Sequence, residues 1–181
     1  MELLEAQRIG LIRQLERLNK QALYSSLNDS NWSVTQILEH IILVEEQTVL
    51  MTAKRLNTHT EFKPISLYSW IKVWLMPIVL RLNFKFKAPS VVKPVGNKSL
   101  PELMEKWSGV RFQLLQLGES NPAYLKKGIF KHPFLGVLNF EQVLQFLKIH
   151  YSHHLVQMNK LVNQLNRSKK FVPKGVVSKT I

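Results

Sequence analysis

Three histidines carry the most specific chemistry in this chain: His40, at the end of the stretch Trp32-Ser33-Val34-Thr35-Gln36-Ile37-Leu38-Glu39-His40, and the pair His150 and His154. Positions i and i+4 of a helix lie one turn apart on one face, so a His-x-x-x-His pair can put two imidazoles on one metal ion. A third histidine from a facing helix would complete three protein ligands and leave one coordination position open. Open positions belong to catalytic metal sites, whereas four closed ligands make a structural one.

Helical phase separates these histidines from their neighbours. At about 100° per residue and with Leu147 at zero, Leu165 falls near 0°, Met158 near 20°, His154 near −20°, His150 near −60° and His153 near −120°. His150 and His154 therefore point into or beside a core that His153 faces away from. On its own helix, His40 lies roughly 60° to the side of Ile37, on the flank of the buried stripe. All three can face one cavity between helices.

The elements that would hold them are four long amphipathic helices. The first is expected from about Leu3 to Leu23, burying Leu4, Leu11, Leu15, Leu18 and Ala22. The second starts at Ser33, with Gln36 as capping partner, and runs to about Leu56 with Ile37, Ile41, Val44, Thr48 and Met51 inward. Ser99 and Glu102 bracket Pro101 as the start of the third, whose stripe is Leu103, Trp107, Val110, Leu114 and Leu117. Asn139 with Gln142 opens the fourth, with Phe140, Leu147, His154, Met158, Leu161 and Leu165 inward. No strand pattern of comparable length competes, so the class is all-α, a four-helix bundle spanning residues 1–167.

The connection 57–98 is too long for a simple hairpin and predicts a crossover between the second and third helices. It contains Leu67 to Leu80, the most apolar run of the chain, interrupted by Lys72 and Pro77. A bilayer span needs about 20 apolar residues, so this run reads as an accessory helix packed on the bundle or buried between two copies. An interfacial membrane helix, flanked by Lys72, Arg81, Lys85 and Lys87, ranks behind that. Residues 168–181 read as a basic tail.

Composition bounds the chemistry. The 181 residues suit one domain with a sizeable core. Cysteine is absent, which excludes disulfides, zinc–thiolate sites, iron–sulfur clusters and a catalytic thiol. The net charge of +13 is uneven: residues 54–98 hold nine Lys/Arg against one acidic residue, and 160–181 hold six against none. Such segments could meet nucleic acid, anionic lipid or an acidic substrate, although solvation alone explains them and no nucleic-acid-binding motif accompanies them. The opening Met1-Glu2-Leu3-Leu4-Glu5 lacks a basic secretory n-region, so a cytoplasmic location is expected. No nucleophile elbow, P-loop or dinucleotide fingerprint is present.

Other polar residues have subsidiary readings. His59 falls in a polar loop, and His132, before Pro133, can stand at a cavity rim. Gln157 and Glu45 are candidates for fixing an imidazole tautomer or a bound cosubstrate, with an ordinary flank position as the simpler alternative.

The stretch from Trp32 to His40, the element His132-Pro133-Phe134-Leu135-Gly136-Val137-Leu138-Asn139-Phe140, and Phe146 to Gln157 with its His150-x-x-x-His154 together resemble the DinB-like superfamily. These are the damage-inducible DinB proteins and their YfiT-like relatives. The resemblance covers most of the chain, from the first helix to about Leu165. It implies a metal-binding four-helix bundle with the triad on His40, His150 and His154, a divalent ion such as zinc or nickel, and a homodimer. In characterised branches it also implies transfer of a low-molecular-weight thiol to an electrophile. The expected function is therefore metal-dependent thiol transfer, with a small-molecule thiol and an electrophile as partners. A metal-dependent hydrolase and a non-catalytic metal-binding or stress-response module are the alternatives; membrane or nucleic-acid association ranks last. The catalytic residues are left unassigned.

Overall fold

The computed structural model describes residues 1–28, 31–58, 61–62, 64–81 and 88–170. Helix α1 spans Glu2–Leu15, α2 Lys20–Tyr24, α3 Val34–Thr58, α4 Leu67–Arg81, α5 Leu100–Glu119 and α6 Phe140–Lys170. A hairpin of β1 (Phe130–His132) and β2 (Gly136–Leu138) precedes α6, paired antiparallel with Lys131 opposite Val137. The bundle is α1, α3, α5 and α6, and α4 lies in the crossover between α3 and α5 as expected. His59, Lys85, Lys87 and residues 171–181 lie outside the described residues.

Capping chemistry sets the starts of the three long helices. The Ser33 amide donates to Gln36 Oε1 (2.9 Å) and the Gln36 amide to Ser33 Oγ (3.2 Å). Asn139 and Gln142 exchange the same pair of bonds at 3.1 and 2.8 Å, and Ser99 and Glu102 form a full capping box with Pro101 in the first turn.

The first helix departs from the expected continuous element to Leu23. It ends at Leu15, and Asn19 begins α2 by accepting the Ala22 amide at 2.9 Å. An asparagine side chain offers the backbone a cap in place of another helical turn, and here the cap wins over the apolar periodicity. Met51, expected inward, is 44% exposed: the buried stripe continues through Thr48, Val49 and Thr52, and Met51 falls at its edge, on the same flank of α3 as His40. The short hairpin is a further difference from the helical pattern, because three-residue strands are too brief to show an alternation.

α3 is the central element, packing against both α5 and α6. Its Ile37, Leu38, Ile41 and Ile42 are fully buried with Trp107, Leu103 and Leu114 of α5 and Leu147 and Met158 of α6. α1 adds Leu4, Leu11 and Leu15 to the same cluster, and Tyr151 of α6 donates its hydroxyl to the Gln7 carbonyl at 2.9 Å.

Inside this core sits an ion pair. Glu45 and Arg111 meet at 2.6 Å, and the Trp107 indole N–H donates to the second carboxylate oxygen at 2.8 Å. Removing one member of a buried pair strands the other charge, at a cost of about 3–5 kcal/mol. Glu45→Leu should therefore lower unfolding stability in urea by roughly that amount, whereas Glu45→Leu with Arg111→Met should recover most of the loss. An uncharged double variant no better than the single one would contradict this.

Candidate metal centre

His40 lies in the second turn of α3, and His150 and His154 lie one turn apart on α6. Packing of α3 on α6 brings the three rings together: the His40 centroid is 5.2 Å from that of His150 and 4.8 Å from that of His154. One nitrogen from each residue lies within 4.8 Å of the others. The Nε2 atoms of His150 and His154 approach to 3.1 Å. Two nitrogens held tetrahedrally at about 2.0–2.1 Å from a common ion stand roughly 3.4 Å apart, so this spacing suits a shared cation.

The far sides of two rings are anchored. His40 Nδ1 is 2.8 Å from the Val92 carbonyl, which can only accept, so Nδ1 carries the proton and Nε2 keeps its lone pair. His154 Nδ1 likewise donates to Gln157 Oε1 at 2.8 Å. Such outer hydrogen bonds fix the tautomer and aim of a ligating imidazole. Of the two residues proposed for this task, Gln157 does perform it. Glu45 does not: five residues beyond His40, it points into the core and binds Trp107 and Arg111 instead.

Electrostatics keeps the cluster neutral. Burial is the main cause of the lowered pKa of His40, of His150 and of His154, which falls to about 3; the neighbouring imidazoles lower His150 and His154 further. Neutral imidazoles are the form that can bind a cation. His153 is exposed and outside the cluster, as its phase requires. His132 faces the cleft, where its Nδ1 accepts the Phe134 and Leu135 amides at 3.1 Å each; burial lowers its pKa to about 4.

The cluster opens into a cleft of about 1640 Å³. Met76 and Leu80 of α4, Pro89 and Val92 of the returning crossover, and Leu135 of the hairpin form apolar walls. The Trp32 ring packs at a tilt against His40, with the two ring centroids 5.0 Å apart. Among the described residues its lining includes Lys72, Lys148 and Lys160 and no carboxylate. Several of these roles were not read from the sequence. Val92 acts through a backbone carbonyl, which leaves no side-chain signature. The lysines come from elements far apart in the chain, and only Trp32, eight residues before His40, carried a local signal.

A helical bundle with a crossover helix and three convergent histidines defines a class of protein that could hold a metal ion between α3 and α6. The family model of the DinB superfamily matches residues 3–158, and the chain belongs to that superfamily. Searches among curated proteins and among solved structures returned no match.

Two measurements probe the centre. Elemental analysis after loading with zinc or nickel should show His40→Ala, His150→Ala and His154→Ala each losing most of the ion and His153→Ala keeping it; the reverse behaviour of His153 and His154 would refute the geometry. The second concerns pH in metal-free protein. An unfolded histidine protonates near 6.5 but native His154 only near 3, so its contribution is full above pH 6.5 and drains away as pH falls toward 3. Unfolding stability should therefore decline from pH 6.5 to 4.5, and His154→Gln should flatten that slope by about 1 kcal/mol per pH unit. A slope unchanged by the substitution would contradict a buried neutral His154.

Proposed function

We propose that this protein binds a divalent ion, zinc or nickel, through His40, His150 and His154, and uses it to transfer a low-molecular-weight thiol to an electrophile. The observation that carries the reading is the convergence of three neutral imidazoles on an open cleft, with the outer nitrogens of His40 and His154 already committed to Val92 and Gln157. A bound divalent cation would supply positive charge that favours the thiolate over the thiol in the remaining coordination position.

The chain's own residues do the rest. With no cysteine, the nucleophilic sulfur must arrive on a cosubstrate. Lys72, Lys148 and Lys160 give the cleft a positive lining unopposed by carboxylates among the described residues, which favours a thiol bearing acidic groups. Apolar walls from Met76, Leu80, Pro89 and Leu135 suit an electrophile with an apolar body.

Metal-loaded protein should accelerate consumption of an aryl halide or epoxide by an acidic thiol such as bacillithiol. Turnover should fall at least tenfold in His150→Ala and after chelation, with helical circular dichroism unchanged. Lys160→Glu should raise KM for the acidic thiol severalfold while leaving a neutral thiol nearly unaffected. No turnover across a broad panel of thiols and acceptors with the metal-loaded wild type would leave a binding module as the better reading.

A further inference from the structure

α4 turns the usual pattern of a surface helix outward. Its buried residues are Val73 and Ser69, 1% and 5% exposed, which face α6 and the hairpin. At about 100° per residue, Tyr68, Ile71, Trp74 and Ile78 all fall on the opposite side, within an arc of roughly 120°. Trp74 is 73% exposed, Tyr68 65%, Ile78 49% and Ile71 46%, and no charged residue falls within that arc. A helix in water normally directs its polar side to solvent. A contiguous apolar face of this kind marks a docking surface.

We propose that α4 docks on an anionic lipid bilayer, lying in the interface with this face among the headgroups and upper acyl chains. Charge selects that occupant. From residue 62 to residue 101 the chain has seven Lys/Arg and no Asp or Glu, and the whole carries +13. A second copy seated on α4 would bring two such acid-free segments together, where like charges repel. An anionic bilayer instead offers the opposite sign over a wide area. Shape agrees: the face is a convex helical ridge about 22 Å long, which suits insertion along a plane, and Trp and Tyr are the side chains that settle at headgroup depth. Lys72 shows the matching amphipathic arrangement on the flank, its ammonium 4.4 Å over the Tyr68 ring and bonded to the Phe134 carbonyl at the hairpin tip.

The opposite side of α4 contributes Met76 and Leu80 to the wall of the histidine cleft. Docking would thus bring the cleft close to the bilayer surface. The inference stands independently of any metal or thiol chemistry.

The test is sedimentation of the full chain with sucrose-loaded vesicles of phosphatidylglycerol and phosphatidylcholine, against phosphatidylcholine alone. Binding to the anionic vesicles is expected, with a blue shift of tryptophan emission and reduced acrylamide quenching. Trp74→Ser with Ile78→Ser should weaken it at least tenfold at unchanged circular dichroism. The proposal is overturned by no binding, by equal binding to the neutral vesicles, or by binding that the double variant retains, which would assign it to other basic segments. A dimer that the double variant dissociates, with no vesicle binding, would make a second copy the occupant. Should the double variant lose its helicity, quenching decides: tryptophans of the wild type no less accessible with anionic vesicles than without them overturn the idea.

Discussion

Two imidazole nitrogens 3.1 Å apart, with a third close by, cannot all carry protons: the contact between His150 and His154 requires that at least one nitrogen offer a lone pair. Burial enforces this by making the charged form of each ring costly, and the hydrogen bonds of His40 and His154 state which nitrogen remains free. A site of this kind survives only if the surrounding chain leaves the rings no way to turn toward water. Much of the local structure can be understood as meeting that demand.

The returning crossover is the clearest case. The Val92 carbonyl holds His40, while Glu39, the adjacent residue of α3, accepts the Gly96 amide at 2.8 Å and pairs with Lys98 at 3.2 Å. Gly96 has φ of +80°, and a Cβ there would come within 2.6 Å of Gln36 Nε2. That same Gln36 side chain caps α3 through Ser33. One junction therefore joins the start of α3, the path of the crossover and the aim of His40. Glycine suits the positive backbone angle, and a side chain there would push the Gln36 side chain from its place.

How much of this was legible follows from where each signal resides. Capping residues and apolar periodicity are local, and they marked α3, α5 and α6 within a few residues; the convergence of His40, His150 and His154 followed because helical phase is a local property too. The end of α1 was missed because Asn19 looks like a tolerable helix residue until its side chain is seen on the Ala22 amide. Glu45 was misplaced because nearness in sequence to His40 says nothing of direction: five residues on a helix turn a side chain through roughly 140°. The Val92 contact spans 52 positions and uses only backbone, so no residue type could have announced it.

The Glu45–Arg111 pair and the histidine cluster show two different treatments of buried polarity on one helix. In the core, opposite charges are matched and the Trp107 indole completes the carboxylate. In the cleft, the three rings are neutral, lysines line the approach, and no carboxylate among the described residues balances them. Such an imbalance is tolerable where solvent reaches, and it attracts negative charge from outside. On the proposed reading, the missing negative charge and the missing sulfur arrive together on one acidic thiol. The chain then needs neither a cysteine nor a carboxylate at its site.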